Sequence, residues 1–230
     1  MKTITEETVS ELLKSFASDF EKLAHETLSH KDTFEVVLTG GTLGIRVLGE
    51  IAKLDLPWRR ISFQFGDERF VALTHPDRNE FQAISLWPEL ANMNLHRFPD
   101  ANSSLEVARS EFDHAVSLRL GELDNPNPVF DLVILGMGPD GHVASLFPGR
   151  NYPKTWIVSE GASPKPPSER LSFSYEALNK ASEVWFLASG AEKAEAVRCG
   201  ISSNCDLPLA KIRGREMTRW YLDSALNDAL

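Results

Sequence analysis

The sequence predicts an α/β protein, a doubly wound, mostly parallel sheet with helices on both faces. Three observations predict it. Short apolar and β-branched runs alternate with stretches of helical periodicity along most of the 230 residues. Three polar, glycine-containing loops, at 39–42, 66–69 and 136–142, follow directly on such runs. The run from Val129 to Leu135 is nearly all apolar, as a strand covered on both faces requires.

The elements follow in order. Thr3 and Glu6 form a capping-box pattern, and Val9, Leu12, Leu13, Phe16, Phe20 and Leu23 then recur at helical spacing, so a helix is expected to open the chain. Phe34 to Leu38 reads as a strand, and Ile45, Leu48 and Ile51 mark the helix after it. Ile61 to Phe65 is the next strand, with Asp77 placed to cap a helix and Glu80 three residues beyond. Ser103 and Glu106 repeat the capping pattern ahead of a helix through Ala108, Phe112, Ala115 and Val116. Asn125-Pro126-Asn127-Pro128 is a loop, as is the Pro- and Ser-rich segment Gly161 to Ser168. Strands at Leu171–Phe173 and Val184–Ala188, a helix from Ala191 and a last strand near Arg219–Leu222 complete the pattern. There is no internal repeat, low-complexity tract or linker, so residues 1–230 are expected to form a single domain.

A hydrophobic content of 42% supports a packed core. The net charge of −9 argues against nucleic acid as a partner, because phosphate-backbone binding needs a dense basic surface. It leaves open a small anionic substrate held by a few local cations. The two cysteines, Cys199 and Cys205, are expected as reduced thiols, with no zinc-site spacing around them. Residues 1–13 lack a basic region followed by an apolar run, and no apolar stretch reaches membrane-spanning length. A cytoplasmic setting without membrane contact is therefore expected.

Right-handed crossovers bring every strand-to-helix loop to one edge of the sheet, where open α/β sheets bind ligands. The loops at 39–42, 66–69 and 136–142 thus form one candidate site. Gly40 and Gly41 permit a sharp turn that brings amides near an anion at a helix N-terminus, with Thr42 suited to the N-cap. Asp67, Glu68 and Arg69 end a strand, and Arg69 suits either an anion or a carboxylate partner. Asp140-Gly141-His142 presents an imidazole, the side chain best fitted to proton transfer near neutral pH. Asp140 either orients that ring or anchors the turn, and Gly138 and Gly141 suit donation of amides to a developing oxyanion. Arg170 and Lys193 are the cations placed to complete an anion site.

Taken together these motifs resemble the 6-phosphogluconolactonase family, within the larger group holding glucosamine-6-phosphate deaminases. The resemblance rests on Thr39-Gly40-Gly41-Thr42, on Gly66-Asp67-Glu68-Arg69 with Val71, His75, Asp77 and Asn79, and on the block from Leu135 to Gly149. Arg170, Ser189-Gly190 with Lys193, and Leu207-Pro208 continue the pattern, which spans about Phe34 to Trp220. It implies hydrolysis of 6-phosphoglucono-lactone in the oxidative pentose phosphate pathway. No metal or organic cofactor is needed, and the enzyme would be a monomer or small homo-oligomer. His142 would activate water, Asp67 and Arg69 would orient substrate, water or base, and Gly40, Gly41, Thr42, Arg170 and Lys193 would hold the phosphate. Which carboxylate, Asp67 or Asp140, supports His142 stays open. With no Gly-x-Ser-x-Gly elbow and no base for Ser145, an acyl-enzyme route is the weaker mechanism.

Three residues depart from the pattern. Leu43 replaces a helix-starting Pro, Val143 replaces a Thr hydroxyl, and Arg78 replaces a small Ser, adding a cation expected near the rim. The rivals are an isomerase or deaminase on the same fold and a non-catalytic sugar-phosphate sensor. Deaminases resemble Asp-Glu-Tyr where this chain has Asp67-Glu68-Arg69, and Asn-Glu-Pro follows their His block. A sensor needs an attached basic module that this chain lacks room for.

Overall fold

Seven parallel strands make the main sheet of the computed structural model, which describes all 230 residues. Along the chain run β1 (Lys2–Glu6), α1 (Val9–His30), β2 (Phe34–Leu38), α2 (Gly41–Ile51), β3 (Ile61–Phe65), β4 (Asp67–Arg69), α3 (Asn79–Leu86), β5 (Asn94–His96) and α4 (Leu105–Leu120). Then come β6 (Phe130–Leu135), β7 (Ile157–Glu160), β8 (Arg170–Phe173), α5 (Tyr175–Leu178), β9 (Ala181–Ala188), α6 (Ala194–Ser202), β10 (Met217–Asp223) and α7 (Ser224–Asn227). The main sheet has the order β1-β10-β9-β6-β2-β3-β5, and β4, β8 and β7 pair antiparallel in a second, smaller sheet.

The predicted doubly wound sheet is therefore present. Every residue of β6 is buried, which is why its sequence lacks polar alternation. On α1 the predicted stripe Leu12, Leu13, Phe16 and Phe20 faces inward, and the Phe16 ring stands edge-on to Trp185 at 5.0 Å. One cluster of 54 buried residues joins these elements.

Sequence order places β3 and β5 on one side of β2, and β6, β9 and β10 on the other. The direction of winding thus reverses between β2 and β6, and a crevice opens beyond their carboxyl ends. Both following loops, Thr39–Gly40 and Gly136–His142, belong to the candidate site. They are tied directly, since the Gly136 amide donates to Thr39 Oγ1 at 3.1 Å.

Several local expectations are corrected. Thr3 to Glu6 is not a helix start; it lies in β1, paired in register with Arg219–Asp223 of β10. The capping box is Thr8 with Glu11, each side chain bonded to the other's amide. For α4 the cap is Ser104 rather than Ser103, accepting from the Val107 amide. Asp77 caps nothing, because α3 begins after Arg78. Cys199 and Cys205, expected as free thiols, are joined in a disulfide across the end of α6.

Candidate active site

A cleft of about 450 Å³ lies at the carboxyl edge of the sheet, and the glycine turn, β4 and the His block all contribute to its wall. Asp67, Arg69, His142, Gly40, Gly41, Thr42, Gly138, Arg170 and Lys193, all singled out from sequence, line it together. Asp140 and Gly141 stand behind His142 and do not line it.

His142 is held on three sides. Its Nδ1 is 2.6 Å from Asp140 Oδ1, which settles which carboxylate partners the ring. An ionised carboxylate only accepts, so Nδ1 is assigned as the donor of that contact, and Nε2 makes no hydrogen bond to the protein. The Phe147 ring packs against the imidazole with centroids 4.8 Å apart. Beneath it, a Cβ on Gly138 would come within 2.3 Å of His142 Nδ1 and Asp140 Oδ1, so glycine is what lets the ring settle there. The amides of Gly138 and Gly141, expected to suit an oxyanion, are both engaged inside the turn. Gly138 donates to the His142 carbonyl at 3.1 Å and Gly141 to the Gly138 carbonyl at 3.0 Å, closing the turn on itself.

Asp67 on β4 pairs with Ser172 of β8, and Arg170, two residues along β8, brings Nη1 to 4.0 Å from Asp67 Oδ2. Arg170 is buried and also donates from Nη2 to the Lys165 carbonyl at 2.9 Å. Burial pulls its pKa below the usual guanidinium range, with Asp67 opposing the fall. The Nε atoms of Arg69 and Arg170 and the Oδ1 of Asn79 are buried with no protein partner.

At the glycine turn, Gly40 is the N-cap of α2 and Gly41 takes φ +76°, a left-handed value that favours glycine. A Cβ on Gly40 would meet Asn79 Oδ1 at 1.8 Å, so a side chain there would have to displace the Asn79 amide. Thr42 does not cap the helix; it is exposed in the first turn, where α2 leaves its amides free for an anion. Leu43 is the third helical residue and lines the cleft beside it. Lys193 is the N-cap of α6, its Nζ donating to the Ser189 carbonyl at 3.0 Å. Asp223 fixes that segment by accepting from Ser189 Oγ and the Gly190 amide.

The family model for glucosamine-6-phosphate isomerases/6-phosphogluconolactonase matches residues 7–220. The chain belongs to this family. It is 36% identical to a 6-phosphogluconolactonase of Streptomyces coelicolor, over 83% of this chain and 79% of the relative. It is 34% identical to the chloroplastic 6-phosphogluconolactonase 3 of Arabidopsis thaliana, over 99% of this chain and 73% of the relative. The crystal structure of the Thermotoga maritima 6-phosphogluconolactonase superposes with a TM-score of 0.85 at 27% identity, covering 97% of this chain and 99% of that one.

Within this glucosamine-6-phosphate isomerase/6-phosphogluconolactonase fold, two cleft residues had been given no role from sequence, Lys165 unmentioned and Asn79 quoted only as part of the family pattern. Lys165 lines the mouth from the loop before β8, and Asn79 locks the rim by donating from Nδ2 to the Asp67 carbonyl at 2.9 Å. A lysine inside a Pro-rich loop next to Arg170 was the available signal for the first. Arg78, expected near the rim, is instead fully buried, donating to the carbonyls of Val71, Phe98 and Pro99.

Glu68 explains why that rim is stiff. Its carboxylate accepts from the amides of Arg69, Asn79 and Glu80 at 2.8, 2.7 and 2.9 Å, so it caps α3 from a neighbouring strand. Burial pushes its pKa up to about 7, against the pull of those amides and of Arg78. The folded state therefore holds a proton that the unfolded chain releases near pH 4.5. Stability contributed by this group is full below that value and falls as pH rises to about 7. Denaturant titrations of the wild type and Glu68→Gln should diverge across this window by on the order of 1–3 kcal/mol, the wild type losing ground. A difference constant from pH 4.5 to 8 would show that Glu68 stays ionised throughout.

Proposed function

We propose that the chain hydrolyses 6-phosphoglucono-lactone to 6-phosphogluconate. The observation that carries this reading is the opening of the His142–Asp140 pair and the glycine turn with Lys193 into one cleft. The family of the chain and the names of its relatives support the same substrate.

In this mechanism the phosphate sits against the first turn of α2 and Lys193, with Arg170 adding positive field from the wall. That anchoring places the ring ester beside His142, so binding energy far from the carbonyl is used to orient it. Nε2 takes a proton from water as the oxygen attacks the carbonyl carbon. The tetrahedral intermediate then collapses, the C–O ring bond breaks, and the imidazolium returns the proton to the departing ring oxygen. Negative charge develops on the former carbonyl oxygen. The Gly138 and Gly141 amides are engaged within their own turn, and Arg69, on the cleft wall, is assigned as the donor that meets it. The substrate is a small phosphorylated sugar lactone. The chain acts as one domain, a monomer or small homo-oligomer, in the cytoplasm. No helix is long and apolar enough to cross a membrane.

The test is acid release from freshly prepared lactone, with spontaneous hydrolysis subtracted. Folded protein that gives no rate above background would overturn the reading. In the same assay Lys193→Ala should raise KM by about 10–100-fold with kcat little changed, the loss of one charge-assisted contact to phosphate. An unchanged KM would remove Lys193 from the phosphate site.

A further inference from the structure

Ser145 is fully buried and does not line the cleft, yet its Oγ donates to Asp67 Oδ2 at 2.6 Å. The turn that delivers this hydroxyl is unusual. Ala144 takes φ +47°, a left-handed conformation rarely adopted by a residue with a Cβ, and such strain persists where surrounding contacts enforce it. Val143 and Leu146 close the turn through paired backbone bonds, Leu146 N donating to Val143 O at 2.9 Å.

The rest of Ser145 is also committed. Its amide donates to Ser172 Oγ at 3.3 Å, and its carbonyl lies 3.3 Å from Tyr152 Oη, which donates to Glu160 Oε2 at 3.0 Å. The Ser145 amide is thereby tied to β8, while its side chain reaches across to β4. On the far side of Asp67, Arg170 approaches the same Oδ2 and Asn79 holds the main-chain carbonyl. Oδ2 is thus held by the Ser145 hydroxyl, with Arg170 at the limit of ion-pair distance, while no protein donor bonds Oδ1.

We propose that Ser145 is a positioning residue for the reaction, one that fixes Oδ2 of Asp67 so that Oδ1 is aimed at the substrate or the attacking water. The proposal rests on the lactonase reading, in which Asp67 works at the reacting centre. A role as nucleophile does not fit the geometry, because the hydroxyl is sealed from the cleft and faces a carboxylate rather than an imidazole.

The experiment is a double-mutant cycle on the full chain, using wild type, Ser145→Ala, Asp67→Asn and the double variant in the acid-release assay. Ser145→Ala is expected to lower kcat by about 10-fold with KM within about threefold, and Asp67→Asn to lower kcat further. The double variant should match Asp67→Asn within about twofold, because the serine acts only through that carboxylate. Multiplying losses would overturn the proposal, showing that Ser145 supports the fold independently. Abolished activity in Ser145→Ala beside an active Asp67→Asn would overturn it in favour of a nucleophile. An Asp67→Asn variant as fast as the wild type would overturn it as well, leaving nothing to position. Inactive wild type would instead sink the lactonase reading itself. Should Ser145→Ala not fold, Ser145→Cys, which keeps a weaker donor, is carried through the same cycle with the same criteria.

Discussion

Replacing His142 by alanine lowers kcat by about 10²–10⁴-fold and leaves KM within about threefold, the expected cost of removing a positioned base. No other group in the cleft combines a free ring nitrogen with a carboxylate that fixes its tautomer, so nothing takes over the proton. Substrate binding survives because the glycine turn, Lys193 and Arg170 stand apart from the imidazole. A loss of four decades is about 5.4 kcal/mol of transition-state stabilisation. Steady-state rates against freshly made lactone, corrected for spontaneous opening, give the measurement. Full activity in His142→Ala would show that the base lies elsewhere.

Gly138→Ala is expected to cost nearly as much although the change adds one methyl and removes no chemical group. That methyl would lie 2.3 Å from Asp140 Oδ1 and from the His142 ring, far inside contact distance. The imidazole is also packed against Phe147, so relief is expected by breaking the 2.6 Å His–Asp pair or swinging the imidazole out of the cleft. We expect kcat to fall by at least about 30-fold, while the overpacking lowers stability by only about 1–3 kcal/mol. Thermal unfolding beside steady-state kinetics separates the two effects. A variant with wild-type kcat would mean that the turn yields without disturbing the pair.

Much of this site was legible because the signals were local. A buried strand ending in glycine, then Asp140 and His142 two residues apart, is a pattern that neighbouring residues enforce on each other. The helix α1 was legible from its spacing, but its start was not. Thr3-x-x-Glu6 and Thr8-x-x-Glu11 look alike, and what decides between them is the pairing of residues 2–6 with β10, more than two hundred positions away. Of the small sheet, β8 was legible at Leu171–Phe173, but its partner β4 was hidden, since Asp67-Glu68-Arg69 has no strand-like composition of its own. The glycine amides illustrate another limit. Sequence shows that a donor exists, whereas only the folded turn shows that its hydrogen is already engaged. Arg78 misled for a related reason, because a guanidinium reads as a surface group until three main-chain carbonyls are found waiting for it.

The pairing of β1 with β10 sets an order of events for a chain emerging from the ribosome. Residues 2–6 are made more than two hundred residues ahead of β10, their only neighbour in the sheet. Until residues 217–223 appear, that amino-terminal stretch has nothing to bond with, and α1 must dock without it. Closing so long a loop is slow, so this seam is expected to be the final one sewn as the protein matures.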